Sequence, residues 1–242
     1  MIKKKISMAV ILICAALLLA SCSGQSERSA PDSGMANNAG NPNTSFTGTP
    51  PMDTLDTQEL IPGIFVVKSG ISNYFLIRSG ESYVAIDAGE YLHDRAVSCF
   101  DELNISSDDV VAVLLTHTHY DHIGALGLFG NATVYLGGNA TIKHEELKDG
   151  EIIEILGMSV QCIYARGHYN NAACYLIDGK YLFSGDTLSL DGDHVKMFFS
   201  KYNNSDKRQK DDIIKLSKLE GIEYVFTAHH GFTDSPVYPQ GK

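Results

Sequence analysis

An unbroken apolar run, residues 110–115, leads straight into His117-Thr118-His119-Tyr120-Asp121-His122. Such a run suits a short strand buried on both faces. Residues two apart in an extended segment point the same way, so His117 and His119 can grip one ion. If the chain then turns into the helix that Ile123-Gly124-Ala125-Leu126 suggests, Asp121 and His122 stand at its start. From there they reach a second ion beside the first. Neutral imidazoles and carboxylates suit Zn²⁺, Fe or Mn²⁺ better than Cu(I).

Around this segment the signals are strand-rich. Short β-branched and aromatic runs at 61–68, 73–78 and 83–87 are separated by Ser-Gly punctuation and read as a meander. Apolar residues at helical spacing follow over 92–103. Further strands are expected near 133–136, 152–155, 159–164, 173–177 and 181–183, then a helix over 210–219 and a last strand over 223–226. Strand-rich blocks with interspersed helices point to two sheets packed face to face with helices outside.

The N-terminal stretch reads differently. Lys3, Lys4 and Lys5 precede an apolar run of about thirteen residues, too short to span a bilayer and suited to a signal-peptide core. It ends in Leu19-Ala20-Ser21-Cys22, which resembles the bacterial lipobox, so residues 1–21 are expected to be a lipoprotein signal peptide and Cys22 the lipidated residue. Residues 22–54, rich in Ser, Asn, Gly, Pro and Thr, are expected to be a flexible tether, and 55–242 one catalytic domain. The protein is thus expected to be extracytoplasmic, lipid-anchored to a bacterial membrane. Loss of three lysines with the signal peptide takes the net charge from −10 to about −13, which argues against a nucleic-acid partner. Cys99, Cys162 and Cys174 sit in no close pair and are read as buried small hydrophobes.

The histidine-rich segment resembles the HxHxDH signature of the metallo-β-lactamase superfamily, and later motifs recur in that family's order. Ala85-Ile86-Asp87-Ala88-Gly89 is similar to its first turn, and Gly167-His168 to its third site-one ligand. Ser184-Gly185-Asp186-Thr187 matches its bridging aspartate, and Thr227-Ala228-His229-His230-Gly231 its final histidine. The resemblance implies an α+β fold, a four-layer αββα sandwich of two mixed β-sheets flanked by helices. It implies two divalent metal ions, zinc first among the candidates. His117, His119 and His168 would hold one; Asp121, His122 and His229 (with His230 as the alternative) the other; Asp186 would bridge them. The implied function is hydrolysis by a hydroxide held between the ions, cleaving a lactone, thioester, amide or phosphoester of a small molecule. Asp121 and Asp186 would orient the ions and handle the proton.

The sequence also departs from the family. Aspartate at 186 stands where the commonest zinc β-lactamases have cysteine, so the resemblance is no β-lactamase assignment. Thr118, rather than glutamate, stands between the first two histidines, which argues against the diiron flavoprotein branch. Arg166-Gly167-His168-Tyr169-Asn170-Asn171 replaces a common His-Thr-Pro-Gly loop. Two alternatives stand beside hydrolysis: an iron-dependent thiol or persulfide oxygenase, and a non-catalytic surface lipoprotein that binds a small ligand or metal. His93 and His144 are expected to be exposed on helices, His194 to lie in a solvated loop, and Tyr120 to pack beside the metals or touch substrate. Two aromatics of 197–202 either line a pocket or cover the core.

Overall fold

The computed structural model describes residues 51–239. The expected signal peptide, Cys22 and most of the expected tether lie outside the described residues. The sheets follow from two periodicities: alternation at 152–155 and 158–164, and continuous apolarity in the central strands. The first sheet runs in sequence order through β1 (Gln58–Ile61), β2 (Ile64–Ser69), β3 (Ser72–Ser79), β4 (Ser82–Ile86), β5 (Val110–Leu115), β6 (Thr133–Leu136) and β7 (Glu145–Glu146). It is antiparallel up to β4 and parallel from β4 to β7. Between β4 and β5 lies helix α1 (His93–Leu103), and after β5 a single turn, α2 (Tyr120–Ile123).

The second sheet is built from β8 (Ile152–Ile155), β9 (Met158–Tyr164), β10 (Ala173–Ile177), β11 (Tyr181–Phe183), β14 (Tyr224–Phe226) and β15 (Phe232–Thr233). Its order is β15-β14-β11-β10-β9-β8, antiparallel except for the β11–β14 pair. A separate hairpin, β12 (Leu188–Asp191) with β13 (His194–Met197), precedes helix α3 (Asp206–Leu216).

Three clusters of buried side chains fix the layers. Val66, Phe75, Ile86 and Leu114 from the first sheet meet Val160, Tyr175, Phe183 and Phe226 from the second. The outer face of the first sheet buries Val67, Leu76, Val113 and Leu115 under Cys99 and Phe100 of α1, which present one apolar stripe with Ala96. Ile213 and Leu216 of α3 cover the outer face of the second sheet against Cys174, Leu176 and Val225. The order is therefore helix, sheet, sheet, helix, as the resemblance implies. At one end of the core Phe183 and Phe226 stack 4.6 Å apart, and Phe75 packs edge-on to them across the sheets at 5.4 and 5.3 Å. That aromatic trio supports the loops beginning at Ser184 and Thr227.

Several expectations need correction. The run 61–68 is two strands, because Gly63, at φ +85°, turns the chain between β1 and β2. The helix expected over 210–219 starts earlier, at Asp206, where Ser205 caps it by accepting from Arg208 N. The expected tether ends sooner than residue 54: Asp53 N donates to His229 O at 2.8 Å, and Leu55 N to Asn73 Oδ1 at 2.7 Å. His144 lies in a loop rather than a helix, half-buried between the carbonyls of Ile142 and Gly138. His194 opens β13 instead of lying in a loop. Tyr120 does not pack inside; it is 63% exposed. Cys99, Cys162 and Cys174 are free and buried.

Candidate metal centre

Every expected ligand follows the C-terminal end of a strand. His117 and His119 follow β5, with Asp121 and His122 in the turn of α2; His168 follows β9, Asp186 follows β11 and His229 follows β14. These strands all run toward one edge of the sandwich, since β11 is parallel to β14 and antiparallel to β10, which is antiparallel to β9. The two sheets are tied there by Ala173 N donating to Thr116 O at 2.8 Å.

The seven donors form two groups, His117, His119, His168 and Asp186, and Asp121, His122 and His229. In the first, His119 Nδ1 stands 3.0 Å from His117 Nε2 and 3.1 Å from His168 Nε2. Donors about 2.0–2.1 Å from a tetrahedral zinc stand about 3.3–3.4 Å apart, so this triad needs little adjustment to hold an ion. In the second, His229 Nε2 is 3.3 Å and His122 Nε2 is 3.7 Å from Asp121 Oδ2. Asp186 faces both groups. Its Oδ2 is 3.4 Å from His168 and 3.9 Å from His117, and its Oδ1 is 3.2 Å from His229 and 3.4 Å from His122. His122 Nε2, His229 Nε2 and Asp186 Oδ1 are buried without a hydrogen-bond partner. Both nitrogens lie within 3.2–3.4 Å of that oxygen without hydrogen-bond geometry, an arrangement that fits a cation. His229, not His230, is the histidine in this group.

A second layer of residues sets the imidazoles. Asp87, 3% exposed, accepts from Thr116 N at 2.7 Å, from Thr116 Oγ1 at 2.8 Å and from His122 Nδ1 at 2.8 Å. The last bond puts a proton on Nδ1 and turns Nε2 to the centre. Asn203 Oδ1 accepts from His168 Nδ1 at 3.0 Å, while its amide nitrogen donates to Phe198 O and Asp206 Oδ1. Ile71 O accepts from His229 Nδ1 at 2.5 Å. Gly185 is demanded by close approach: its φ is +52°, and a Cβ there would collide with Thr116 Oγ1.

The electrostatics divide the histidines. Burial drives His117 well below its ordinary pKa and lowers His119 and His168, which leaves these three neutral and ready to ligate. Burial also opposes charge on His229 and His122, but attraction to the carboxylates outweighs it. Asp186 and Asp121 raise His229 to about 9, and Asp186 with Asp87 holds His122 well above the usual range. Burial likewise opposes charge on Asp186, yet His229 and His122 hold it well below a normal carboxylate. Without a metal, the second group is therefore an internal ion-pair cluster; a cation binding there displaces protons.

A cavity of about 190 Å³ opens onto these ligands. Phe198, 2% exposed, and the half-exposed Tyr202 both line it, so the aromatic segment serves core and pocket together.

A model of the metallo-beta-lactamase superfamily matches residues 67–161, from β2 to β9 and through the HxHxDH segment. A solved structure, a metallo-beta-lactamase family protein from Thermus thermophilus, superposes with a TM-score of 0.58. It is 20% identical, over 73% of this chain and 76% of that one. The fold is that of the metallo-β-lactamase superfamily. The family model matches the segment that carries the HxHxDH residues, and the structural neighbours share the fold. Among curated proteins, the hydroxyacylglutathione hydrolase of Francisella tularensis subsp. holarctica is 33% identical over 126 residues, 49% of this chain and 48% of that protein. A probable metallo-hydrolase of Methanocaldococcus jannaschii is 30% identical over 131 residues, 54% of this chain and 62% of that one. The chain thus spans about half the length of the curated relatives it matches.

Sequence reasoning singled out all seven donors but missed the roles of Asp87 and Asn203. Asp87 had a readable signal, a carboxylate ending a buried strand just before a glycine. Asn203 had none, because it reaches His168 from 35 residues away.

Proposed function

We propose that this chain is a metal-dependent hydrolase that cleaves an ester-like bond, such as a lactone, thioester, amide or phosphoester, in a small molecule. The observation that carries this reading is Asp186, whose two carboxylate oxygens face the two donor groups separately. His117, His119 and His168 would hold one divalent ion, Asp121, His122 and His229 the other, with Asp186 shared. Two such ions supply Lewis acidity and a water activated at neutral pH.

The chain's own residues do the rest. Asp87, Asn203 and the Ile71 carbonyl hold three imidazoles in one tautomer and orientation. Phe198 and Tyr202 give the cavity aromatic walls. Asp121, its side chain 10% exposed against 4% for Asp186, is the more open carboxylate and the better placed to accept a proton at Oδ2. The donors fall into two groups, which favours two ions and hydrolysis over a single-iron oxygenase. The donor set suits zinc, with iron or manganese as alternatives. Relatives named as hydrolases lend the reaction class further support. We place the activity outside the cytoplasm, tethered through Cys22.

The test is turnover of thioester, lactone, amide and phosphoester dyes by the zinc- or manganese-loaded chain. Metal-dependent hydrolysis of at least one class, abolished by a chelator, is expected. Full metal loading with no turnover of any class would overturn the reading.

A further inference from the structure

Beside the ligands, the metal-side cavity is lined by Met52, Ile71, Tyr120, Phe198 and Tyr202. Three of these, Ile71, Tyr120 and Tyr202, are 43%, 63% and 46% exposed, an unusual concentration of large apolar side chains in the open. Exposed apolar groups gathered around a concave site mark where a ligand covers them. Neither lysine nor arginine is among the described residues lining the cavity. The nearest cation in sequence, Lys201, sits against ring faces instead, its Nζ 4.6 Å from the Tyr202 centroid and 5.8 Å from that of Phe199. At about 190 Å³ the space lies below the roughly 300–1,000 Å³ of sites for drug-sized ligands.

We infer that the substrate presents a compact, uncharged, apolar acyl group to this wall, and that a carboxylate on that group is excluded. The inference rests on the hydrolase reading and names its substrate class. The physical reason is desolvation: an anionic tip entering the cavity loses its water and meets mainly methyl, thioether and ring carbons, with only the hydroxyls of Tyr120 and Tyr202 and no guanidinium or ammonium among the lining residues to repay it. A methylene, by contrast, gains at every step until the space is full. Met52 belongs to the segment before β1 that is pinned by the bond from Asp53 N to His229 O, so the start of the domain shapes the pocket itself.

The test is calorimetric titration of the zinc-loaded full chain with alkyl hydroxamates, whose head binds the metal and whose tail samples the wall. From acetohydroxamate upward, Kd is expected to tighten about fourfold per methylene until the cavity is full. A tail of equal length ending in carboxylate should bind roughly tenfold or more weakly than its neutral partner. Ile71→Lys keeps the backbone carbonyl that holds His229. It should shift preference toward the carboxylate tip by roughly tenfold, read as the ratio of the two tails' Kd values within the variant. A flat or absent series, or equal binding of the carboxylate tip by the native chain, overturns the inference even if esters are cleaved. A rising series with no ester cleaved upholds the pocket and removes the hydrolase reading alone.

Discussion

Asp87→Asn separates the two donor groups with a one-atom change. Asp87 sits at φ +65°, a conformation asparagine tolerates, so the backbone is kept. The amide oxygen can still accept from Thr116 N, but its NH₂ then faces His122 Nδ1, which in the native chain donates to a carboxylate oxygen at 2.8 Å. Two donors cannot share that contact. The imidazole must move its proton to Nε2, the atom aimed at the centre, or leave a buried donor unpaired at a cost of about 1–3 kcal/mol. Loss of such an outer partner lowers metal affinity about 10–100-fold, or about 1.4–2.8 kcal/mol. The loss should fall on the group of Asp121, His122 and His229. The assay is competition for zinc against a chromophoric chelator, which resolves the two binding steps. One step weakened about 10–100-fold with the other within about threefold is expected. Equal weakening of both steps, or of neither, would refute the assignment of Asp87 to His122.

Ion uptake should release protons, since His229 is raised to about 9 and His122 stands well above its usual range; calorimetry in buffers of different ionisation enthalpy at pH 7 should find about two protons released as the second group fills. The same shift links to stability: a histidine whose folded pKa is raised stabilises fully below its unfolded value of 6.5 and loses that contribution as pH rises through about 9. The metal-free chain should therefore melt at lower temperature at about pH 9.5 than at about pH 7, and the zinc-loaded form should lack that drop. Gly185→Ala, with its Cβ driven against Thr116 Oγ1, should destabilise by about 1–3 kcal/mol in denaturant unfolding. Asp212, pushed up to about 6 chiefly by burial while it accepts from Gly167 N at 2.8 Å, runs the opposite way. Its raised folded pKa costs stability as pH rises above 3.8, a loss complete above about 6. Asp212→Asn should therefore raise the melting temperature at about pH 8 and have little effect at about pH 4.

The strand at 110–115 and its histidines were legible because a continuous apolar run and a ligand cluster are both local signals. Two face-to-face sheets with helices outside were legible from strand-rich blocks with interspersed helices, and the resemblance added that both sheets are mixed. Residue-level errors fell where tertiary contacts override local pattern. β1 is a short edge strand with two exposed residues, Gln58 and Glu59, and shows little alternation. The start of α3 was hidden because its first turn is charged and only the Ser205 cap marks it. Tyr120 lies within the signature yet points outward, as its neighbours Asp121 and His122 take the inward positions of a one-turn helix. The second layer of the site was least readable, because Asp87 meets His122 across 35 residues and Asn203 meets His168 across another 35.

The central claim is a centre of two ions joined by Asp186, and elemental analysis of the purified chain beside Asp186→Ala tests it most directly. About two metal equivalents in the native protein, falling toward one in the variant with the fold intact by circular dichroism, is the expected result. One equivalent or none in the native chain, unchanged in the variant, would contradict it.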